Sequence, residues 1–264
     1  MTVEQPALRP PRLRTIRSVG ALVLREMSAT YGNSPGGYIW AILQPLGMVL
    51  ILSAGFSLVL KAPSLGTNFT LFYATGYLPF LFYTTLSGKL AHSLRYSRTL
   101  LAYPGVNWID SVFARLFLNF VTSAVVFCIV LSGILVIVDT RTVVSISPIL
   151  QGIGICVVTG IGVGLMNCVL FGLAPIWEQI WTIISRPLFL ASGILFIYED
   201  LPGGAQDILW WNPLIHGTGL VRAGFYPTYH PDYVSLLYCY GGSMILVTLG
   251  LVFLRSKHKI ILEK

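Results

Sequence analysis

The sequence is poor in charged residues and lacks the common motifs of catalysis. Only 10% of its 264 residues are charged, against roughly 25% in soluble domains. No G-x-x-x-x-G-K-[ST] phosphate loop occurs, because Gly88-Lys89 has Tyr83 at the upstream glycine position and Leu90 in place of the hydroxyl residue. H-E-x-x-H, G-x-S-x-G and paired intramembrane carboxylates are absent too. These absences argue against a soluble protein, an ATPase and a hydrolase.

The sequence also contains few cysteines, and their spacing indicates neither a disulfide nor a metal site. Cys128, Cys156, Cys168 and Cys239 each stand alone in an apolar run, without a CxxC or histidine partner. We therefore expect small buried thiols, with no metal and no cofactor held by this chain.

Long apolar runs dominate what is present. The chain is 55% hydrophobic, with a mean hydropathy of +0.77. A helix of about 20 apolar residues crosses the roughly 30 Å of hydrocarbon in a bilayer. The sequence therefore predicts an all-α membrane protein with six transmembrane helices, at about residues 38–60, 71–87, 112–138, 149–173, 180–198 and 233–254.

The predicted spans define the domain organisation. Residues 1–17, rich in proline and arginine, form a flexible cytoplasmic tail, and 18–36 an amphipathic interface helix with the turn that follows it. A six-span domain covers 37–254. Within it, 199–232 is too polar to span and is rich in aromatics, which predicts short re-entrant helices at the outer face. Residues 255–264 form a second cytoplasmic tail.

Residues 89–111 form a polar elbow between the second and third predicted spans. Pro104 and Gly105 interrupt any continuous helix, so we predict a short surface helix, a turn and re-entry into the bilayer from Asp110 onward. A segment at the membrane surface is accessible to a partner protein. The alternative is an ordinary cytoplasmic loop.

The net charge of +7 is explained by membrane topology. Basic residues accumulate on the cytoplasmic side of membrane proteins. Six spans place both termini on the same side of the membrane. Of the 17 lysines and arginines, 14 then lie on the side of the termini, and only Lys61, Arg141 and Arg222 lie on the opposite side. We therefore expect cytoplasmic termini and no nucleic-acid partner.

Aromatic residues make up 12% of the chain and admit two interpretations. They can form the interfacial belt of a membrane protein, or they can line a path in which ring faces stack on the C–H faces of sugars. Three of them, at i, i+4 and i+7 of the second span, share one helical face. The residues predicted for such a path are Trp40, Tyr73, Tyr77, Phe80, Trp210, Trp211 and Phe225.

Four stretches between about residues 20 and 230 carry a family pattern. Thr30 and Asn119 depart from it, since the pattern usually has arginine and an acid there. The stretches are Arg25-Glu26 with Tyr31-Gly32, Gly37-Tyr38, Trp40 and Pro45; Thr75-Gly76 to Pro79-Phe80; Leu100-Leu101 with Tyr103-Pro104, Asp110 and Arg115; and Arg186-Pro187-Leu188-Phe189 with Trp211-Asn212-Pro213-Leu214, His216 and Arg222.

With these stretches the chain resembles the membrane subunit of ABC exporters for capsular polysaccharide, which are related to O-antigen and teichoic acid permeases. The resemblance implies a homodimer paired with two copies of a separate ATPase, which binds the ATP and Mg. It implies export of lipid-linked polysaccharide across a bacterial inner membrane, with periplasmic and outer-membrane export proteins as further candidate partners. The residues then expected to face the ATPase are Arg25, Glu26, Arg95, Arg98, Leu100, Leu101, Tyr103 and Pro104.

Two rival functions follow from the same sequence. The first is an ABC permease for a drug or small lipid, against which the aromatic density and Trp211-Asn212-Pro213-Leu214 favour a glycan. The second is a membrane-embedded enzyme of glycan or lipid synthesis. Such an enzyme should show acidic clusters at a membrane face, whereas Glu199-Asp200 is the only adjacent acidic pair in the sequence.

Overall fold

A computed structural model of the protein describes residues 19–28, 36–101, 107–138 and 143–263. Every regular element within these ranges is helical. The helices are α1 (residues 19–28), α2 (Ile39–Ser57), α3 (Phe69–Ala91), α4 (Ser93–Tyr96), α5 (Arg98–Leu101), α6 (Trp108–Ile137), α7 (Ile146–Leu173), α8 (Ile176–Ala191), α9 (Gly203–Leu209), α10 (Pro213–Phe225) and α11 (Leu236–Glu263), with a 3-10 turn at Tyr198–Asp200.

Four of these helices, α2, α6, α7 and α11, are long and apolar enough to cross a membrane. The second and fifth predicted spans correspond to α3 and α8, which are not among the four. The reason is that α8 has only 16 residues and that α3 interleaves its apolar residues with threonine and tyrosine. The predicted all-helical class is confirmed with four candidate spans, and the count of six stays a prediction.

Helix α7 lies at the centre of the bundle, packed against α3, α10 and α11. Its glycines allow this close approach. A Cβ added at Gly164 would lie 2.8 Å from the Leu90 Cβ and 2.9 Å from the Ser87 carbonyl oxygen of α3. One at Gly160 would lie 3.1 Å from the Tyr83 carbonyl oxygen. The Gly160-x-x-x-Gly164 spacing therefore serves the close packing of α7 on α3.

Two helices contribute little to the packed interior of the chain. No residue of α8 is fully buried, and in α2 only Pro45 and Val49 are. The main neighbour of α8 is α7, whereas α2 packs on α3 and α6. About half of the residues in each helix are exposed, so both helices leave a large surface that this chain does not cover.

The segments outside the spans differ in part from their predicted boundaries. Two short helices, α9 and α10, occupy most of residues 199–232, as their length suggests. Helix α11 continues to Glu263, past the predicted span end at Leu254, because residues 255–263 contain no glycine or proline to stop it. The predicted tail at 1–17 and the elbow residues 102–106 lie outside the described residues.

We predict that Gly164→Ala destabilises the protein, since the new Cβ would meet α3 backbone that cannot rotate away. Overpacking of this kind costs about 1–3 kcal/mol. The control is Gly133→Ala in α6, where no atom lies within 4 Å of the added Cβ. The measurement is the temperature at which each purified variant loses its monodisperse peak in detergent. Equal transition temperatures for the two variants would contradict the packing described here.

Candidate functional site

A buried ion pair joins α1 to α6. Glu26 and Arg115 are each only 5% exposed. The Arg115 Nη2 lies 3.2 Å from Glu26 Oε1 and 3.3 Å from Oε2. An unpaired charge at such a position would cost several kcal/mol, so each side chain depends on the other for its burial.

The Arg115 guanidinium also contacts two further helices. Its Nη1 donates to the Lys89 carbonyl in the last turn of α3, at 2.9 Å. Its Cζ lies 4.1 Å from the ring centroid of Tyr96 in α4, and the Cζ of Arg25 lies 5.2 Å from the same centroid. One side chain therefore connects α1, α3 and α4 to the start of α6.

Hydroxyl groups and a helix cap connect the elbow to α6. The Ser111 Oγ lies 2.7 Å from the Ser97 Oγ and 3.2 Å from the Ser93 carbonyl oxygen, both in the elbow. At the start of α6, the Asn107 N–H donates to Asp110 Oδ2 at 3.1 Å as part of a capping box. A displacement of the elbow would therefore be transmitted directly to α6.

The exposed side of the elbow carries mixed charges around a pocket. The Arg95 Nη1 lies 3.2 Å from Glu178 Oε2, and the His92 Nε2 lies 4.0 Å from Oε1. Burial lowers the pKa of His92, an effect that Glu178 partly offsets. The adjacent pocket of about 270 Å³ has a basic rim and an apolar floor, formed by Arg95, Arg98, Phe171, Pro175, Ile261 and Leu262.

A second buried arginine, Arg222 of α10, lies at the other end of α3. It is 1% exposed and donates from Nη1 to the Phe196 carbonyl at 2.7 Å and from Nη2 to the Ile194 carbonyl at 2.8 Å. Its Cζ lies 4.1 Å from the centroid of the Phe72 ring. Gly76 provides the necessary space, since a Cβ there would lie 2.8 Å from Nη2. The guanidinium thus connects α10 to α3 and to the segment after α8.

Tyrosines surround Arg222 in place of an acidic partner. Within the described residues no ion pair to Arg222 occurs, and the Tyr229 hydroxyl donates to Glu199 Oε2 at 3.0 Å. Burial raises the pKa of Tyr226 to about 12, although the nearby Arg222 opposes the shift. Burial also lowers the pKa of Arg222, but a guanidinium stays charged at neutral pH. Carbonyls and a ring face therefore compensate the charge.

Aromatic rings form a compact group next to this arginine. Trp210 stacks on Tyr238 with centroids 4.9 Å apart and donates from Nε1 to the Tyr233 carbonyl at 3.0 Å. The His216 Nε2 lies 2.7 Å from the Trp210 carbonyl oxygen, and burial lowers the pKa of this imidazole. Trp211 packs edge-on against Trp210 yet is 66% exposed. The group is a fixed aromatic platform with one accessible indole.

Sequence comparison places both clusters within a known domain. Residues 17–226 match the sequence model of the family ABC2_membrane, which is described as ABC-2 type transporter. The chain belongs to the ABC-2 type transporter family. The matched range includes α1, the elbow, Arg115 and Arg222, so both buried arginines lie in the domain that the family shares.

Several relatives of this ABC-2 chain have names that refer to polysaccharide. It is 28% identical over 248 residues to the Polysialic acid transport protein KpsM of Escherichia coli, covering 93% of this chain and 95% of that protein. It is 28% identical to the Capsule polysaccharide export inner-membrane protein BexB of Haemophilus influenzae, covering 92% of each. It is 25% identical to the corresponding protein CtrC of Neisseria meningitidis, covering 89% of each.

The residues predicted to face an ATPase occupy different environments in the ABC-2 chain. Arg95 and Arg98 are exposed, Arg25 and Leu101 are half-buried. Glu26, expected on the polar side of a surface helix, is buried against Arg115, so it can influence a partner only through that pair. The Leu100 side chain and the whole of Tyr103 and Pro104 lie outside the described residues.

The residues predicted to line a glycan path also separate into two groups. Trp40 and Trp211 are 56% and 66% exposed, and Tyr77 and Trp210 are half-buried. The other three are buried within the chain, where they pack against neighbouring rings and helices. These are Tyr73, Phe80 and Phe225.

Sequence reasoning missed the partners of the two buried arginines. A signal existed, because an arginine within or beside an apolar run has to be compensated. The partner itself could not be identified, since Glu26 lies 89 residues before Arg115 and Arg222 uses backbone carbonyls that no residue type reveals.

We predict that Arg115→Leu is strongly destabilising, by about 3–5 kcal/mol, because it leaves Glu26 buried without a partner. The double variant Arg115→Leu with Glu26→Leu should recover part of that loss. The matched control is Glu178→Gln, which breaks the exposed pair with Arg95 and should cost about 1 kcal/mol or less. Thermal stability in detergent measures all three. A double variant no more stable than Arg115→Leu would show that the charge pair is not what matters.

Proposed function

We propose that this chain is the membrane subunit of an ATP-driven exporter that moves lipid-linked capsular, or related surface, polysaccharide across a bacterial inner membrane. The similarity over about nine-tenths of the chain to capsule export proteins carries this proposal. It extends through both buried clusters and is not confined to one helix. A drug permease or a biosynthetic enzyme has no comparable support.

A separate ATPase subunit binds ATP and Mg and docks on the elbow in this proposal. The exposed Arg95 and Arg98 and the neighbouring pocket suit a partner that presents acidic and apolar groups. Movement imposed on the elbow would pass to α6 through Ser111 and Arg115, whose contacts with α4 are short and largely buried. This connection is what an exporter needs between ATP hydrolysis and its spans.

We infer six spans, with α3 and α8 crossing the membrane beside the four candidate helices. Helix α3 is about 34 Å long at 1.5 Å per residue, and 15 of its 23 residues are buried, so the chain itself covers much of its polar surface, including Tyr73, Thr75 and Ser87. Helix α8 begins beside the elbow, where Glu178 meets Arg95, and is followed by Ile194, which meets Arg222. Its position between the two clusters supports a crossing.

The same contacts support an orientation and a dimer. The elbow and both termini are cytoplasmic and residues 199–232 are periplasmic, since 13 of the 17 lysines and arginines then lie on the cytoplasmic side, three lie on the other side and Arg186 lies within α8. A second copy of the chain covers part of α2 and α8, in which the chain itself fully buries only Pro45 and Val49. Periplasmic and outer-membrane export proteins continue the route.

The exposed indoles are the contacts proposed for the moving glycan. Trp40 lies at the start of α2, near the cytoplasmic end, and Trp211 lies on the aromatic platform at the other end. Ring faces stack on sugars without fixing them, so a polymer can slide past. Tyr73, Phe80 and Phe225 then support the path through packing and do not touch the glycan.

The test of this function is a chromosomal deletion that is complemented by the wild-type chain carrying an affinity tag. We expect the deletion to abolish surface polysaccharide, with lipid-linked polymer accumulating inside the cell, and the tagged chain to copurify with an ATPase. Normal surface polysaccharide in the deletion strain would contradict the proposal. Accumulation of a small lipid without any polymer would favour a different ABC permease.

We predict that Leu101→Ala combined with Tyr103→Ala weakens ATPase docking by roughly 1–3 kcal/mol, because truncated apolar anchors carry much of an interface energy. Copurification of the ATPase at matched membrane levels measures the effect. The control is Trp211→Leu, which lies at the opposite end and should copurify normally. If the double variant recovers as much ATPase as the wild type, the elbow is not part of the interface.

We predict that Trp40→Leu and Trp211→Leu each reduce export although both retain the ATPase, since each removes an exposed ring from the proposed path. The readout is surface polysaccharide at matched expression. Phe117→Leu, which removes an exposed ring of α6, serves as the control for a lipid-facing belt and should be silent. Equal export by all three variants would indicate that Trp40 and Trp211 belong to the interfacial aromatic belt and do not line the path.

A further inference from the structure

Helix α8 differs from the other helices proposed to span the membrane in the pattern of its exposed side. One arc of that side is apolar and includes Ile180, Ile183 and Ile184. The adjoining arc is polar: Gln179, Thr182 and Arg186, all exposed, follow each other at spacings of three and four residues. This spacing places the three side chains in one line along the helix, which we call the polar line.

The polar line points away from the rest of the chain. The opposite side of α8 makes the contacts with its neighbours, where the Trp177 Nε1 donates to Asn167 of α7 at 3.0 Å. Phe189, three residues after Arg186 and therefore beside the polar line, packs on α3, where its ring lies 5.7 Å from that of Phe80. Within the described residues no ion pair or hydrogen bond from the Arg186 side chain occurs. Arg186 thus contrasts with Arg115 and Arg222, which are both buried and compensated.

The position of Arg186 along α8 excludes lipid as its surroundings. It is the eleventh of 16 residues, so it lies about 15 Å from the start of the helix, well inside a bilayer that α8 crosses. An arginine that faces lipid at such depth is strongly disfavoured, because its charge has no water or partner to compensate it. Pro187 adds polarity, because it has no N–H to donate to the Ile183 carbonyl one turn earlier. A water-filled space is therefore the environment that fits this arc.

We propose that the polar line borders the aqueous export path and that Arg186 binds acidic groups of the passing glycan, either carboxylates or phosphates. This inference rests on the proposed function and adds a substrate class to it. A guanidinium can hold a carboxylate or phosphate through two parallel hydrogen bonds, and Gln179 can bond to sugar hydroxyls. The one acid of α8, Glu178, pairs with Arg95 at the start of the helix and leaves the positive charge of Arg186 unopposed.

The exposure of Arg186 suits a site that binds a moving polymer weakly and briefly. An ion pair between exposed groups is weak, so an acidic sugar would be held briefly and then released to the next position. The same weakness makes the interaction sensitive to salt, because exposed charges are screened. The site therefore selects acidic polymers without retaining them.

The test is binding of a fluorescent oligogalacturonate, which carries one carboxylate per sugar, to the permease with its ATPase in phosphatidylcholine nanodiscs. The neutral probe is the same oligomer with its carboxylates reduced to alcohols. The variants are Arg186→Gln, Arg186→Lys and, as a matched loss of one exposed positive charge, Lys61→Gln. Repeating the titration with anionic lipid included shows whether a lipid headgroup competes for the site.

We expect the wild type to prefer the acidic oligomer, and Arg186→Gln to weaken its binding by up to about fivefold, the most that one exposed ion pair contributes. Neutral binding should not change, Arg186→Lys should keep most of the preference, and Lys61→Gln should behave as wild type. Anionic lipid should leave the titrations unchanged.

Several results would overturn this assignment. They are an absence of acidic preference in the wild type, an equal loss of both probes in Arg186→Gln, or an Arg186 effect that appears only with anionic lipid. Surface polysaccharide separates this failure from failure of the proposed function. If the wild type restores surface polysaccharide to the deletion strain and Arg186→Gln binds the acidic oligomer like the wild type, only the proposed role of Arg186 is refuted. If the wild type restores no surface polysaccharide, the proposed exporter function itself is refuted.

Discussion

The close approach of neighbouring helices to α7 is the constraint on which the rest of the structure depends. Gly160 and Gly164 admit α3, Gly162 admits α11, and Gly152 lies against Gly217 of α10. In lipid there is little hydrophobic force between helices, so packing at small residues is what brings them together. This arrangement gathers α3, α10 and α11 around one helix, and α2 and α8 keep a large exposed surface, which the proposed exporter uses for a second copy and for the path.

Two buried arginines mark the ends of this bundle, and their charges are compensated in different ways. Arg115 uses a carboxylate from α1, so this end of the bundle depends on a pair that links distant parts of the chain. Arg222 uses the carbonyls that follow α8 and the Phe72 ring. Helices α3 and α8 run between the two clusters. In the proposed exporter, a displacement of the elbow therefore reaches the helices that border the path without passing through a flexible segment.

Sequence alone could predict the elements that hydropathy controls. Long apolar runs indicated α2, α6, α7 and α11. Side-chain environment was harder, because it depends on which face of a helix is covered. Tyr73 and Trp40 are both aromatics of predicted spans, yet only Trp40 is exposed. Glu26 has a charged neighbour in Arg25, but its burial follows from Arg115, which no local pattern reveals.

The most direct test of the proposed path is the accessibility of cysteines substituted along α8 in the permease with its ATPase, in membranes and in a Cys128→Ser background, since the other native cysteines are buried. Cysteines at Gln179, Thr182 and Arg186 should react with a membrane-impermeant maleimide, because that line borders water. Cysteines at Ile180 and Ile184, on the apolar arc, should stay unreacted. Uniform reactivity along α8, or reaction at the isoleucine positions only, would contradict an aqueous path bordered by the polar line.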